Sequence, residues 1–193
     1  MNDALTESFF KYEEMLEKII KKETPLRDPS ITVVKIPAVN AENILKRHQL
    51  LLRKFKKKYK NWTYKTLNLE KQFFEKLKAR EFTDGEQVVN NCDRQEFEND
   101  MRNVVLNDLI GDVEREIHEL KDSYRKDGRP PFLVLLNMHS TYPFIETGDV
   151  ISRIINEKGV FVIILYISGI TYRIEDAEPF KNANYTVQTF SFM

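Results

Sequence analysis

The residues of this chain that could do chemistry are scattered, and the strongest polar signal among them is a block of one charge. Between Asn43 and Leu69 there is no acidic residue, while Lys46, Arg47, Arg53, Lys54, Lys56, Lys57, Lys58, Lys60 and Lys65 all fall there, interleaved with Phe55, Tyr59, Trp62 and Tyr64. Cations beside aromatic rings can neutralise phosphates and stack bases. Arg53, Lys54, Lys56, Lys57, Lys58 and Lys60 are therefore the candidate contacts for nucleic acid or for a partner protein. A later stretch carries the opposite sign, through Glu96, Glu98, Asp100, Asp108, Asp112, Glu114, Glu116 and Glu119, and the formal net charge is zero. The competing reading is that the two stretches are solvated faces that oppose each other.

Catalytic patterns are missing where they would be needed. A phosphate-binding loop requires glycines for close backbone approach and a lysine for the phosphates. The segment after the first apolar run is Pro37-Ala38-Val39-Asn40, without glycine, and Gly148 and Gly169 stand alone. The histidines, His48, His118 and His139, are far apart and form no HxxxH or HExxH pattern. His48 reads as a residue at the margin of a helix. Glu114, Glu116, His118 and Glu119 crowd one helix, but residues two apart do not face each other, so no metal-ligand set is visible. His139 and Ser140 lie at a strand's carboxyl end with Asp149 near in sequence, yet no nucleophile elbow surrounds Ser140. Cys92 has no flanking motif and reads as an incidental thiol. No catalytic, cofactor-binding or metal-binding residue is assigned, and no cofactor is expected.

The elements that must position these residues come from apolar periodicity. Glu7 to Lys22 places Phe9, Tyr12, Leu16, Ile19 and Ile20 at helical spacing. Ile31 to Ile36 is a β-branched run ended by Pro37, and Asn40 can cap a helix that buries Ile44, Leu45, Leu51, Leu52 and Phe55 and runs to about Tyr59. Residues 62–69 read as a strand near a sheet edge, Glu70 to Arg80 as a helix, and about Arg94 to Arg125 as a longer helix whose pattern Gly111 interrupts. Phe132 to Leu136 and Val160 to Ile167 are continuous apolar runs around a short amphipathic helix from about Gly148 to Asn156. That is a parallel strand-crossover-strand unit, because parallel strands are covered on both faces. The tail from Tyr185 to Phe192 reads as a final strand.

These elements predict a single α/β domain over residues 1–193, with 1–24 an N-terminal helix packed on it. The fold class is three-layer, a mostly parallel sheet flanked by helices, Rossmann-like or P-loop-like without a phosphate loop. A ligand in such a fold sits outside the carboxyl ends of the strands. The single cysteine excludes an intrachain disulfide, and the opening residues MNDALTESFFKYEE have neither the basic start nor the apolar core of a signal peptide. The uncharged stretch Gly159 to Tyr172 is short of the roughly 20 residues that span a bilayer. A cytoplasmic protein without membrane contact is expected.

The C-terminal third resembles the BrxB-like family of bacterial phage-exclusion (BREX) defence systems. The residues that carry the resemblance are Phe132 to Leu136, Tyr142-Pro143-Phe144, Val150 to Ile155, Phe161 to Tyr166, Gly169, Phe180, Asn184-Tyr185 and Phe190, in order and spacing over roughly residues 131–192. No arginine follows the Tyr-Pro-Phe turn within Ile145 to Gly148, no proline precedes Gly169, and Thr186-Val187 stands where Tyr-Arg is usual. The resemblance implies a small non-catalytic component of a multi-gene antiviral defence system, acting by protein-protein interaction with a methyltransferase, an ATPase and a phosphatase-like protein. It carries over no catalytic residue. Two alternatives come from the residues themselves: a nucleic-acid-binding module using stretch 46–65, and a degenerate nucleotide-binding domain that kept its sheet and lost its phosphate loop.

Overall fold

The computed structural model describes residues 3–23, 30–79, 99, 104–138, 147–154, 159–168 and 188–192. Its elements are helix α1 (Asp3–Ile20), strand β1 (Ile31–Pro37), helix α2 (Ala41–Lys58), strand β2 (Tyr64–Asn68), helix α3 (Leu69–Ala79), helix α4 (Ile110–Asp127), strand β3 (Phe132–Leu136), helix α5 (Thr147–Ile154), strand β4 (Phe161–Ser168) and strand β5 (Gln188–Ser191). A π-helical turn, Val104–Leu109, leads into α4, and a 3-10 turn, Ala38–Asn40, leads into α2.

The strands form one five-stranded sheet in the order β2-β3-β4-β1-β5, every described pairing parallel. This is the three-layer α/β architecture that the apolar runs predict, with β2 at an edge as its mixed composition requires. The order differs from the dinucleotide-binding arrangement 3-2-1-4-5-6. The first strand lies inside the sheet: Ile31 to Pro37 pairs along its length with Val162 to Ser168 of β4, and on its other side Thr32 to Lys35 pairs with Gln188 to Ser191 of β5.

Because side chains alternate across a strand, each central strand feeds two cores. Ile31 and Val33 of β1, Leu133 and Leu135 of β3, and Val162, Ile164 and Tyr166 of β4 pack with α3, α4 and α5. Val34 and Ile36, Phe132 and Val134, and Phe161, Ile163 and Leu165 pack on the other face with α1 and α2. The chain crosses from β1 to the far edge at β2 through α2, then returns through β3 and β4 by way of α3, α4 and α5. Reversing the direction of travel while keeping one hand of crossover sends the helices to opposite faces.

Local chemistry explains the boundaries. Pro37 has no backbone donor and ends β1. Asn40 occupies the first capping position of α2 without a side-chain cap hydrogen bond, since the 3-10 turn already leads the backbone into the helix; the capping role expected of it is corrected on that point. Helix α4 runs unbroken through Gly111, and the irregularity that glycine suggested lies just before it, in the π-helical turn. It stops at Gly128, whose φ of 69° is the left-handed cap glycine adopts at no steric cost, with its N–H donating to the Tyr124 carbonyl.

Trp62 holds the turn between α2 and β2 in place. Its side chain is fully buried, its Nε1–H donates to the Pro130 carbonyl at 2.9 Å, and Phe132 meets it edge-on with ring centroids 4.9 Å apart. Phe55 packs against it from α2 and Tyr64 from β2. As the sole tryptophan in the chain, Trp62 also reports on the core around it. Phe132→Ala leaves a cavity against this cluster and should cost about 3–5 kcal/mol, read as a lower urea midpoint by Trp62 fluorescence, with little change in slope.

Candidate functional site

Helices α1 and α2 cover one face of the sheet side by side, and the basic stretch is displayed there. Ile44, His48, Leu51, Leu52 and Phe55 of α2 turn inward, as do Leu5, Phe9, Tyr12 and Leu16 of α1. Helical spacing then leaves the lysines and arginines of α2 on the opposite side and at its seam with α1.

The cations at that seam are neutralised by α1. Lys54 donates to Glu13 Oε1 at 2.5 Å, and Lys58 one turn later pairs with Glu17. The Tyr59 hydroxyl donates to the same Glu17 carboxylate at 2.7 Å. Glu17 is held below the ordinary carboxylate range, by Lys58 first and then Tyr59. Tyr59 is pushed up to about 12, by partial burial first and then by the neighbouring Glu17. Lys56 donates to the Trp62 carbonyl at 2.5 Å and so ties the end of α2 to the turn that follows. Lys65, on edge strand β2, pairs with Glu116 and Glu119 of α4, which raises its pKa. Among the described residues the basic stretch meets the acidic one through Lys65, and the main partners of the α2 lysines come from α1.

Of the six nominated contacts, Lys54, Lys56 and Lys58 are engaged in this way. Arg53, Lys57 and Lys60 are exposed and have no ion-pair or hydrogen-bond partner among the described residues. The interleaved aromatics do not form a stacking platform: Phe55 and Trp62 are fully buried, and Tyr59 has Lys58 and Arg129 over its ring, each 5.6 Å from the centroid.

Beneath the seam lies a buried polar pair that corrects the marginal position expected for His48. His48 is 2% exposed, its Nδ1 shares a hydrogen bond with the Tyr12 hydroxyl at 3.1 Å, and its Nε2 is buried without a partner among the described residues. Burial pushes His48 down to about 4 and Tyr12 up. Beside it, Arg47 lies over the Phe9 ring at 4.2 Å. The signal was present in the spacing, since His48 is four residues after Ile44 and four before Leu52.

The carboxyl ends of the strands carry a different network. Asn137, just past β3, has a φ of 57°, and its Nδ2 donates to Glu70 Oε2 at 2.9 Å and more weakly to Asn68 Oδ1 at 3.4 Å. Asn68 Oδ1 also accepts the Lys71 N–H at the start of α3, so this group closes the β2 and β3 ends as a cap. At the end of β1, Ala38–Asn40 forms the 3-10 turn, in which Val39 is exposed. Among the described residues His118 meets only the Glu114 carbonyl one turn away, and no group of metal-ligating side chains occurs. Of the acids around it, Glu114 faces Arg153 and Asp112 pairs with Lys76. Cys92, His139, Ser140, the Tyr142-Pro143-Phe144 turn, Gly169, Phe180, Asn184 and Tyr185 lie outside the described residues. So does the side chain of Asp149, on α5.

No protein-family model matches the chain, and neither a curated protein nor a solved structure is similar to it. No helix among the described residues is long and apolar enough to cross a membrane.

His48 generates a pH dependence of definite sign. With a folded pKa near 4 against an ordinary 6.5, the unfolded chain takes up the proton first. Its contribution is therefore complete above pH 6.5 and is lost as the pH falls toward 4, by up to about 3 kcal/mol. Denaturant unfolding over that range should show the slope, and His48→Gln should remove it relative to the parent chain.

Proposed function

We propose that this chain is a non-catalytic component of a bacterial anti-phage defence system that acts by binding other proteins of that system. The resemblance of residues 131–192 to the BrxB-like family supplies the biological setting. The character of the α1–α2 face is the observation that carries the mode of action. Its cations are half engaged by Glu13, Glu17 and the Trp62 carbonyl, its buried aromatics offer no stacking surface, and large apolar side chains stand exposed beside them. Apolar anchors within a charged surround are the chemistry of protein interfaces rather than of a phosphate groove.

The tagged chain expressed with its neighbouring genes should co-purify with the methyltransferase, the ATPase or the phosphatase-like component. Recovery of none of these would overturn the proposal. The nucleic-acid reading predicts a salt-sensitive duplex-DNA shift that Lys56→Glu, Lys57→Glu and Lys58→Glu together abolish. We expect no shift that depends on these three lysines.

The parallel sheet favours one second reading, a nucleotide domain that lost its phosphate loop. β1 lies between β4 and β5, at the point where the direction of travel across the sheet reverses, which is where such folds bind ligands. Thermal stabilisation by millimolar ATP or GTP would favour that reading, and a midpoint unmoved by either would remove it.

A further inference from the structure

Two of the large apolar side chains left exposed by the fold stand on the same groove. Phe10 of α1 is 64% exposed and Leu50 of α2 is 62% exposed. The bridges Glu13–Lys54 and Glu17–Lys58 set the two helices in register, with a constant offset along the chain. Phe10 precedes Glu13 by three residues and Leu50 precedes Lys54 by four, so each lies about one turn before the same bridge. Phe9, adjacent to Phe10, turns inward under Arg47, and Leu51, adjacent to Leu50, is buried. Phe10 and Leu50 are thereby left on the outer side, astride the groove. Single exposed apolar residues are ordinary, as with Phe74 on α3, but a pair at one level on neighbouring helices forms a small apolar seat.

The charge around that seat is one-sided. The α1 carboxylates nearest it are already engaged, Glu7 by Lys11, Glu13 by Lys54 and Glu14 by Lys18. On α2, Arg53 and Lys57 follow Leu50 at three and seven residues, on the same exposed stripe, and have no partner among the described residues. A ligand complementary to this surface supplies one or two large apolar side chains and carboxylates alongside them. A second copy of the chain is a poor match, because Asp112, Glu114, Glu116 and Glu119 of α4 are engaged within the molecule by Lys76, Arg153 and Lys65.

Building on the protein-binding reading above, we infer that the α1–α2 groove docks an acidic amphipathic segment of a partner protein. Its apolar side chain sits between Phe10 and Leu50, and its carboxylates pair with Arg53 and Lys57.

Fluorescence anisotropy of the full chain tests this with three labelled probes: a helical peptide with leucines at i and i+4 among glutamates, its twin with lysines for glutamates, and a short DNA duplex. The acidic peptide should bind, more weakly at higher salt, and the basic twin should not. Leu50→Asp should weaken binding at least tenfold, as should Arg53→Glu with Lys57→Glu, while Phe74→Asp on the opposite face leaves it unchanged. All these positions are exposed, and unchanged Trp62 emission checks that each variant is folded. The inference is overturned if the acidic peptide does not bind, or binds the parent and Leu50→Asp equally. DNA binding lost in the double charge reversal but kept in Leu50→Asp would also overturn it, by assigning the face to phosphates. Self-association abolished by Leu50→Asp would do the same, by assigning it to a second copy. A defence protein that co-purifies equally with the parent and with Leu50→Asp overturns only this docking site, whereas co-purification of none removes the reading beneath it.

Discussion

The pairing of β1 on both of its edges is the constraint on which the rest of this structure depends. Residues 31–37 pair with β4 on one side and residues 32–35 with β5 on the other, so the earliest strand is completed by segments more than a hundred residues later. A strand in that position is cut off from water along both edges and both faces. It must be largely apolar, as Ile31, Val33, Val34 and Ile36 are, and helices must cover it above and below. Helices α1 and α2 follow from that requirement on one face, and α3, α4 and α5 on the other. Loop-closure entropy makes such distant pairing costly until the sheet is assembled, so folding should be cooperative across the chain.

Covering the α1–α2 face places strongly charged helices side by side, and the structure divides their charges by position. At the seam, where side chains are partly shielded, carboxylates of α1 meet lysines of α2. Such partly exposed pairs contribute modestly to stability, but they fix the register of the two helices. Further out, on the solvent side of α2, Arg53 and Lys57 have no counter-ion among the described residues. Beneath the seam the interior holds the polar Tyr12–His48 pair, whose burial keeps both side chains neutral at ordinary pH. A phosphate-binding role for the whole basic stretch does not fit this division: the rings that would stack bases hold the core, and half of the nominated cations are engaged within the molecule.

Much of the architecture was legible in the amino-acid order. The runs Phe132 to Leu136 and Val160 to Ile167 identified parallel strands within a residue of their observed limits, because a strand covered on both faces admits almost no polar side chain. Pro37 marked the end of β1, where the backbone places it. Of the longer helix expected from about Arg94 to Arg125, the part before Val104 lies outside the described residues apart from Asn99, and the described part opens on a π-helical turn and ends at Asp127. His48 illustrates a different difficulty. Its spacing matched the buried stripe, but the hydroxyl that makes its burial tolerable comes from Tyr12, which is remote in sequence.

The residues alone therefore determined what each segment can be: which stretches are helix or strand, which face of each is apolar, and that the loop after the first strand cannot cradle a phosphate. These properties depend on neighbours within a few positions, through backbone sterics and periodicity. Tertiary structure decided which segments meet. It placed β1 between the last two strands, brought Glu13 and Glu17 of α1 to lysines of α2, and left Arg53, Lys57 and Lys60 without partners among the described residues. A charge is free or neutralised according to what lies within a few ångströms in space, and only the folded chain sets that distance.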